Sequence, residues 1–261
     1  MTDPALFVGR VAKGETRSDH ESTSAGKPCN SLRALLEVII CSGFPTQVSL
    51  ALVLNGLGLS GTTSQDGSLS FSYVTILSIA DTMLIVGLIW YFLSVNGESI
   101  WQLIIGGLPI KQEALLGLVL IPLLVLGAAG GLLLLRVIAP GLHNIAENPL
   151  ASMLDTPARA LVFGLVAIIA GGVREEIQRV FILHRFEHHL GGPWLGLIVF
   201  SAIFGLGHYV QGFDAAIITG ILGIVWGLLY LKRRSAIAAI VSHSGFNSVE
   251  IIIAVVAAQS L

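Results

Sequence analysis

Seven apolar runs recur along this chain, at residues 35–59, 71–95, 114–139, 159–190, 193–209, 213–231 and 235–259. Each reaches or approaches the roughly 20 residues a helix needs to cross about 30 Å of hydrocarbon. No water satisfies backbone N–H and C=O groups in that medium, so runs of this length predict helices that close their own hydrogen bonds. Hydrophobic residues make up 54% of the chain and charged ones 11%, against about 25% charged in soluble domains. The expected fold class is therefore an all-α polytopic membrane protein, a bundle of seven to eight transmembrane helices. An eighth would require residues 100–110 to dip into the interface. The run at 159–190 is too long for one simple span, and its polar end, Arg185-Phe186-Glu187-His188-His189, should leave the membrane before residue 190.

The first 33 residues are different. They are rich in Ser, Thr, Lys and Asp, have no apolar periodicity, and read as a disordered polar tail; residues 34–261 form the transmembrane domain. The tail shows no short apolar core followed by a cleavage site, so no signal peptide is read there. Cys29 and Cys41 lie at different depths without metal-like spacing, which predicts two free thiols. The net charge of −2 and the lack of a basic stripe exclude nucleic acid as an expected partner; the lipid bilayer is one. Lys and Arg set the orientation. Arg10, Lys13, Arg17, Lys27, Arg33, Lys111, Arg185 and the Lys232-Arg233-Arg234 run fall on alternate connections, whereas residues 60–70 and the Gln211-Gly212 turn carry none. Only Arg136 and Arg159 depart from that alternation. The tail is thus expected in the cytoplasm and the carboxyl end outside, in a prokaryotic plasma membrane by default. The Lys232 run could also touch anionic lipid.

Within this apolar sequence stands Gly171-Gly172-Val173-Arg174-Glu175-Glu176-Ile177-Gln178-Arg179. An ionisable side chain at the membrane centre costs roughly 2.5–3.5 kcal/mol even on lenient insertion scales, and so points to function. On a helix Arg179 reaches back to Glu176 at three residues and Glu175 at four. Two later runs add polar groups: Phe204-Gly205-Leu206-Gly207-His208, and His243-Ser244-Gly245-Phe246-Asn247, whose imidazole and amide share one helix face. A carboxylate in an apolar pocket suits a general base acting on water. Imidazoles can share that water, and an amide donor can stabilise an oxyanion. Ser242 and Ser244 lie on other faces than His243, and Cys41 has no evident base, so the chemistry available is attack of water on a carbonyl.

Glu175-Glu176-x-x-Arg179, Phe204-x-x-x-His208 and His243-x-x-x-Asn247, in that order on successive apolar runs, resemble the CPBP (Abi) family of intramembrane proteases, which includes type II CaaX prenyl endopeptidases of the Rce1 kind. The resemblance covers about residues 98–257. It implies an intramembrane endopeptidase acting on a membrane-anchored peptide or protein. Glu175 and His208 would activate water, His243 and Asn247 would line the oxyanion site, and Glu176 and Arg179 would support them. No cofactor is assured; zinc is possible, with Glu175, His208 and His243 as its ligands, although the His-Glu-x-x-His helix of soluble zinc proteases is lacking. Two other readings of the same polar groups are a proton- or ion-coupled transporter and a non-catalytic scaffold or immunity protein.

Other positions are read more plainly. Asp81 has no assigned partner and could pair with a basic residue or face the cavity, Glu250 shares the face of His243 and could orient it, and His184, His188 and His189 with Arg185 and Glu187 read as a solvated helix end. Gly127-x-x-x-Gly131 and Gly223-x-x-x-Gly227 read as helix packing. One difficulty concerns depth: at about 1.5 Å per residue, His208 lies much further from the start of its run than His243 does from its own. Either the fifth span is tilted or it starts later, as far on as Gly196.

Overall fold

The computed structural model describes residues 30–63, 68–145 and 148–259; the tail, including Cys29, lies outside the described residues up to residue 29. The architecture is all-helical, with no strand among the described residues: α1 Ser31–Ile40, α2 Phe44–Gly56, α3 Phe71–Val95, α4 Ile100–Ile105, α5 Ile110–Ile138, α6 Pro157–Val166, α7 Glu175–His189, α8 Pro193–Leu206, α9 Phe213–Arg233 and α10 Ile237–Gln259. This is a polytopic membrane protein. Four helices (α3, α5, α9 and α10) are long and apolar enough to cross a membrane, and α1 with α2 makes a fifth such unit bent by 42°. The bend falls where Gly43 takes φ +88° and Pro45 enters the first turn of α2, a break that glycine and proline tolerate.

Local chemistry sets the other boundaries. Asn30 caps α1, so Ser31 to Arg33, assigned to the tail by sequence, already form its first turn. Thr156 caps α6 with Pro157 behind it, and glycines 192 and 212, both at positive φ, precede α8 and α9. Between α6 and α7 the chain stays helical but widens into a π-helix at Ala167–Arg174, so the helix runs unbroken from Pro157 to His189. Single π turns of this kind concentrate at functional sites. The segment at 100–110 provides no eighth crossing: α4 has six residues, too few to span, and it docks at one end, where Ile104 O accepts from Ala236 N at 2.7 Å.

The two ends of the bundle differ in charge. At one end Arg33 pairs with Glu37, Arg185 with Glu37 and Glu98, Arg233 with Glu113, and Arg234 with Glu187. At the other, Asp214 meets His143 at 2.9 Å and Arg136 at 3.8 Å, and Arg159 pairs with Asp155. Arg185 is fully buried, so the stretch expected to be a solvated helix end is instead tied to α1 and to the connection after α3. Its charge outlies the helix axis far enough to reach two carboxylates, and only His188 of that group stays exposed. The lateral faces carry Leu123, Leu126, Val137 and Ile252 in the open, an apolar surface that suits lipid.

The core sits where α7, α8 and α9 meet, around Phe181, Leu183, Phe200, Phe204 and Trp226. Glycines make the approach possible: a side chain at Gly223 would press on Phe204 and Arg179, and one at Gly227 would strike Leu197. Gly131 likewise faces Ile218, whereas Gly127 faces open space. The Gly223 spacing is thus interfacial at both positions and the Gly127 spacing at only one.

Candidate active site

Glu176 and Arg179 occupy the deepest layer, both fully buried. Arg179 Nε donates to both oxygens of Glu176, at 3.2 and 3.1 Å, and its Nη1 donates to Gly223 O at 3.1 Å. The guanidinium carbon lies 4.5 Å from the Phe204 ring centre, 5.2 Å from Phe200 and 5.9 Å from Trp226, and cation–π attraction supports a buried charge in such a box. Glu176 then fixes His243: its Oε1 lies 2.8 Å from His243 Nδ1. A carboxylate accepts, so Nδ1 carries the proton and, in the neutral ring, Nε2 carries the lone pair. Trp226 stacks on the imidazole with ring centres 3.8 Å apart and planes 14° apart, and its own N–H is held by Ser242 Oγ at 3.1 Å.

One residue earlier on the helix, Glu175 turns to a different environment. Its Oε2 lies 3.9 Å from His243 Nε2, too long for a hydrogen bond and within the reach of one bridging water. Its Oε1 lies 3.7 Å from Arg174 Nη2. Arg174 is held by Gln178 Oε1 at 3.0 Å and by Asp81 Oδ2 at 3.6 Å. Asp81 accepts from Thr46 and Gln47, so the carboxylate without an assigned partner in the sequence anchors the arginine beside Glu175.

His208 stands beyond α8, which begins at Pro193 and ends at Leu206; the later start is therefore wrong. The helix stops short instead, and the ring folds back so that Nδ1 donates to Phe204 O at 2.9 Å. Phe204 contacts His208 at 5.0 Å and His243 at 6.1 Å between ring centres. His208 thus reaches the cavity from the turn beyond α8. Asn247 donates to Ala167 O at 3.2 Å, in the π segment, and Gly171 and Gly172 leave just the space that Asn247 and Ser244 fill.

Glu175, His208, His243 and Asn247 all line one cavity of about 430 Å³. Glu176 and Arg179 do not line it; they support it from below. Glu250 lines it nearer the mouth, and the orienting contact on His243 comes from Glu176 instead, because the ring turns Nδ1 toward α7. Among the described residues no three His, Cys, Asp or Glu side chains stand close enough together to hold a metal ion. The possible zinc set thus does not form a ligand cluster as arranged. Sequence reasoning missed Arg174 and Trp226, and the basic partner open to Asp81 is Arg174. For Arg174 a signal was present, as a fourth charge in the central stretch.

A family model for Rce1-like type II CAAX prenyl endopeptidases matches residues 157–249. The matched segment belongs to the Rce1-like family. It holds the six candidate residues as well as Arg174 and Trp226, and the match supports a protease at the level of family. Comparison with curated proteins and with solved structures returned no match.

Proposed function

We propose that the protein is an intramembrane endopeptidase that hydrolyses peptide bonds of a membrane-delivered substrate with water activated by Glu175. The observation that carries this reading is the single cavity shared by Glu175, His208, His243 and Asn247, with His243 fixed from beneath by Glu176. Glu175 takes a proton from water as its oxygen adds to the scissile carbonyl carbon, and His208 Nε2 accepts from the same water. The carbonyl oxygen gains the negative charge. The Asn247 N–H not used by Ala167 donates to it, and His243, held in the same cavity by Glu176, lines that oxyanion site. Collapse breaks the C–N bond, and the proton held by Glu175 passes to the leaving amine.

The test is hydrolysis of a peptide library by purified protein in detergent. Glu175→Gln should abolish cleavage, and His208→Ala should lower turnover by about 10²–10⁴, the range typical of acid–base groups. Full proteolysis by Glu175→Gln would overturn the assignment.

A further inference from the structure

The cavity has a direction. Its wall is built from the first turns of α3, the 148–154 connection, residues 163–175 of the Pro157–His189 helix, the end of α8 and the turn after it, Thr219, Leu222 and Trp226 of α9, and residues 243–254 of α10. Among the described residues, none of 96–113, 184–195 or 228–240, which build the end rich in Arg and Lys, contributes to it. Beneath Trp226 and His243 that end is closed by buried Leu183, Leu197, Tyr230, Ala236 and Ala239, and beyond them by the Glu37–Arg185–Glu98 pairs. The mouth therefore lies at the end that holds Arg136 and Arg159 as its only cations among the described residues.

Basic connections stay in the cytoplasm because Lys and Arg resist translocation. Arg33, Lys111, Arg185 and the Lys232 run share one end, and Arg10, Lys13, Arg17 and Lys27 precede Arg33 in the sequence. We infer that the cavity opens on the non-cytoplasmic face, and that its substrate is a peptide segment already exported to that face rather than the carboxyl end of a cytosolic protein. The inference rests on the hydrolase reading for its substrate and on charge and cavity direction for its side. The wall suits such a segment: Leu150, Leu154, Phe163 and Ile251 offer apolar contact, while Asn148 and Gln211 near the mouth can pair with peptide backbone.

The experiment uses the full chain with Cys29→Ser and Cys41→Ala and one new cysteine. Gly141→Cys lies at the mouth end, where an added Cβ meets nothing within 4 Å, and Lys111→Cys is exposed at the basic end; neither lines the cavity. Intact cells are treated with a membrane-impermeant maleimide. Gly141→Cys should be labelled in intact cells and Lys111→Cys only after permeabilisation; the reverse pattern overturns the inference. In the second arm, an impermeant quenched peptide, chosen because the detergent-solubilised protein cleaves it, is added to right-side-out and inside-out vesicles. Cleavage at least tenfold faster in right-side-out vesicles is expected, and equal or inverted rates overturn the inference. Cleavage by Glu175→Gln in detergent would instead remove the hydrolase reading and leave the labelling result intact.

Discussion

Glu175 and Glu176 are adjacent, yet a rotation of about 100° along the helix sends one carboxylate to the cavity and the other into the core. Glu176 meets Arg179 and His243 with no exposure, while the Glu175 side chain keeps 17% of its surface. The two positions should therefore fail differently. Breaking a buried pair leaves the surviving charge uncompensated, at a cost of about 3–5 kcal/mol. Glu176→Gln should lower the melting temperature in detergent and remove activity together, whereas Glu175→Gln should remove activity at near-parent melting temperature. Thermal unfolding of both variants checks this, and an unchanged Glu176→Gln would refute the buried pair. The spacing of Arg179 and the shared face of His243 and Asn247 were legible in sequence. That Asp81 pairs with Arg174 and that Trp226 stacks on His243 were not, because Arg174 lies 93 residues from Asp81 and His243 is on another helix than Trp226.

The widened helix at Ala167–Arg174 is the element on which the site turns. Gly171 and Gly172 fall inside it, and a side chain at Gly172 would collide with the backbone Cα of Ser244 as well as its hydroxyl. Backbone cannot rotate away, so Gly172→Ala should push α10 outward, at the roughly 1–3 kcal/mol typical of overpacking. Since α10 carries His243 and Asn247, cleavage should fall along with the melting temperature, and Ser244→Gly should restore part of both. A Gly172→Ala protein with parent activity would show that α10 does not pack as closely as the geometry requires. The two glycines of this element stand in the sequence, but no packing was read from them. Its π geometry was hidden, since one extra residue in a turn leaves the apolar pattern of a span unchanged.

Across the whole molecule, the basic end works as a clamp joining α1, α7 and the connection after α3. Burial alone would raise the carboxyl of Glu98, but hydrogen bonds from His184 and Arg185 outweigh it and lower it from 4.5 to about 2. A carboxyl depressed on folding stabilises the fold above its ordinary value, and that contribution disappears as pH falls from about 4.5 toward 2. The melting temperature should accordingly hold through neutral pH and fall below about 4.5. Glu98→Gln should be less stable at pH 7 and lose less on acidification; a pH series of thermal unfolding for both proteins tests it, and parallel curves would exclude the clamp.

By itself the sequence determined that this chain makes apolar helices, that three of its runs bear polar groups, and that those groups have the types hydrolysis needs. Hydropathy and residue spacing act locally, so they can be read along a line. Only the tertiary structure decided that Glu176 rather than Glu250 holds His243, that His208 enters through a turn beyond its helix, and that the cavity faces away from the basic end. Each of those depends on which helix lies beside which and at what depth, and side-chain packing between distant segments leaves no periodic trace in the chain.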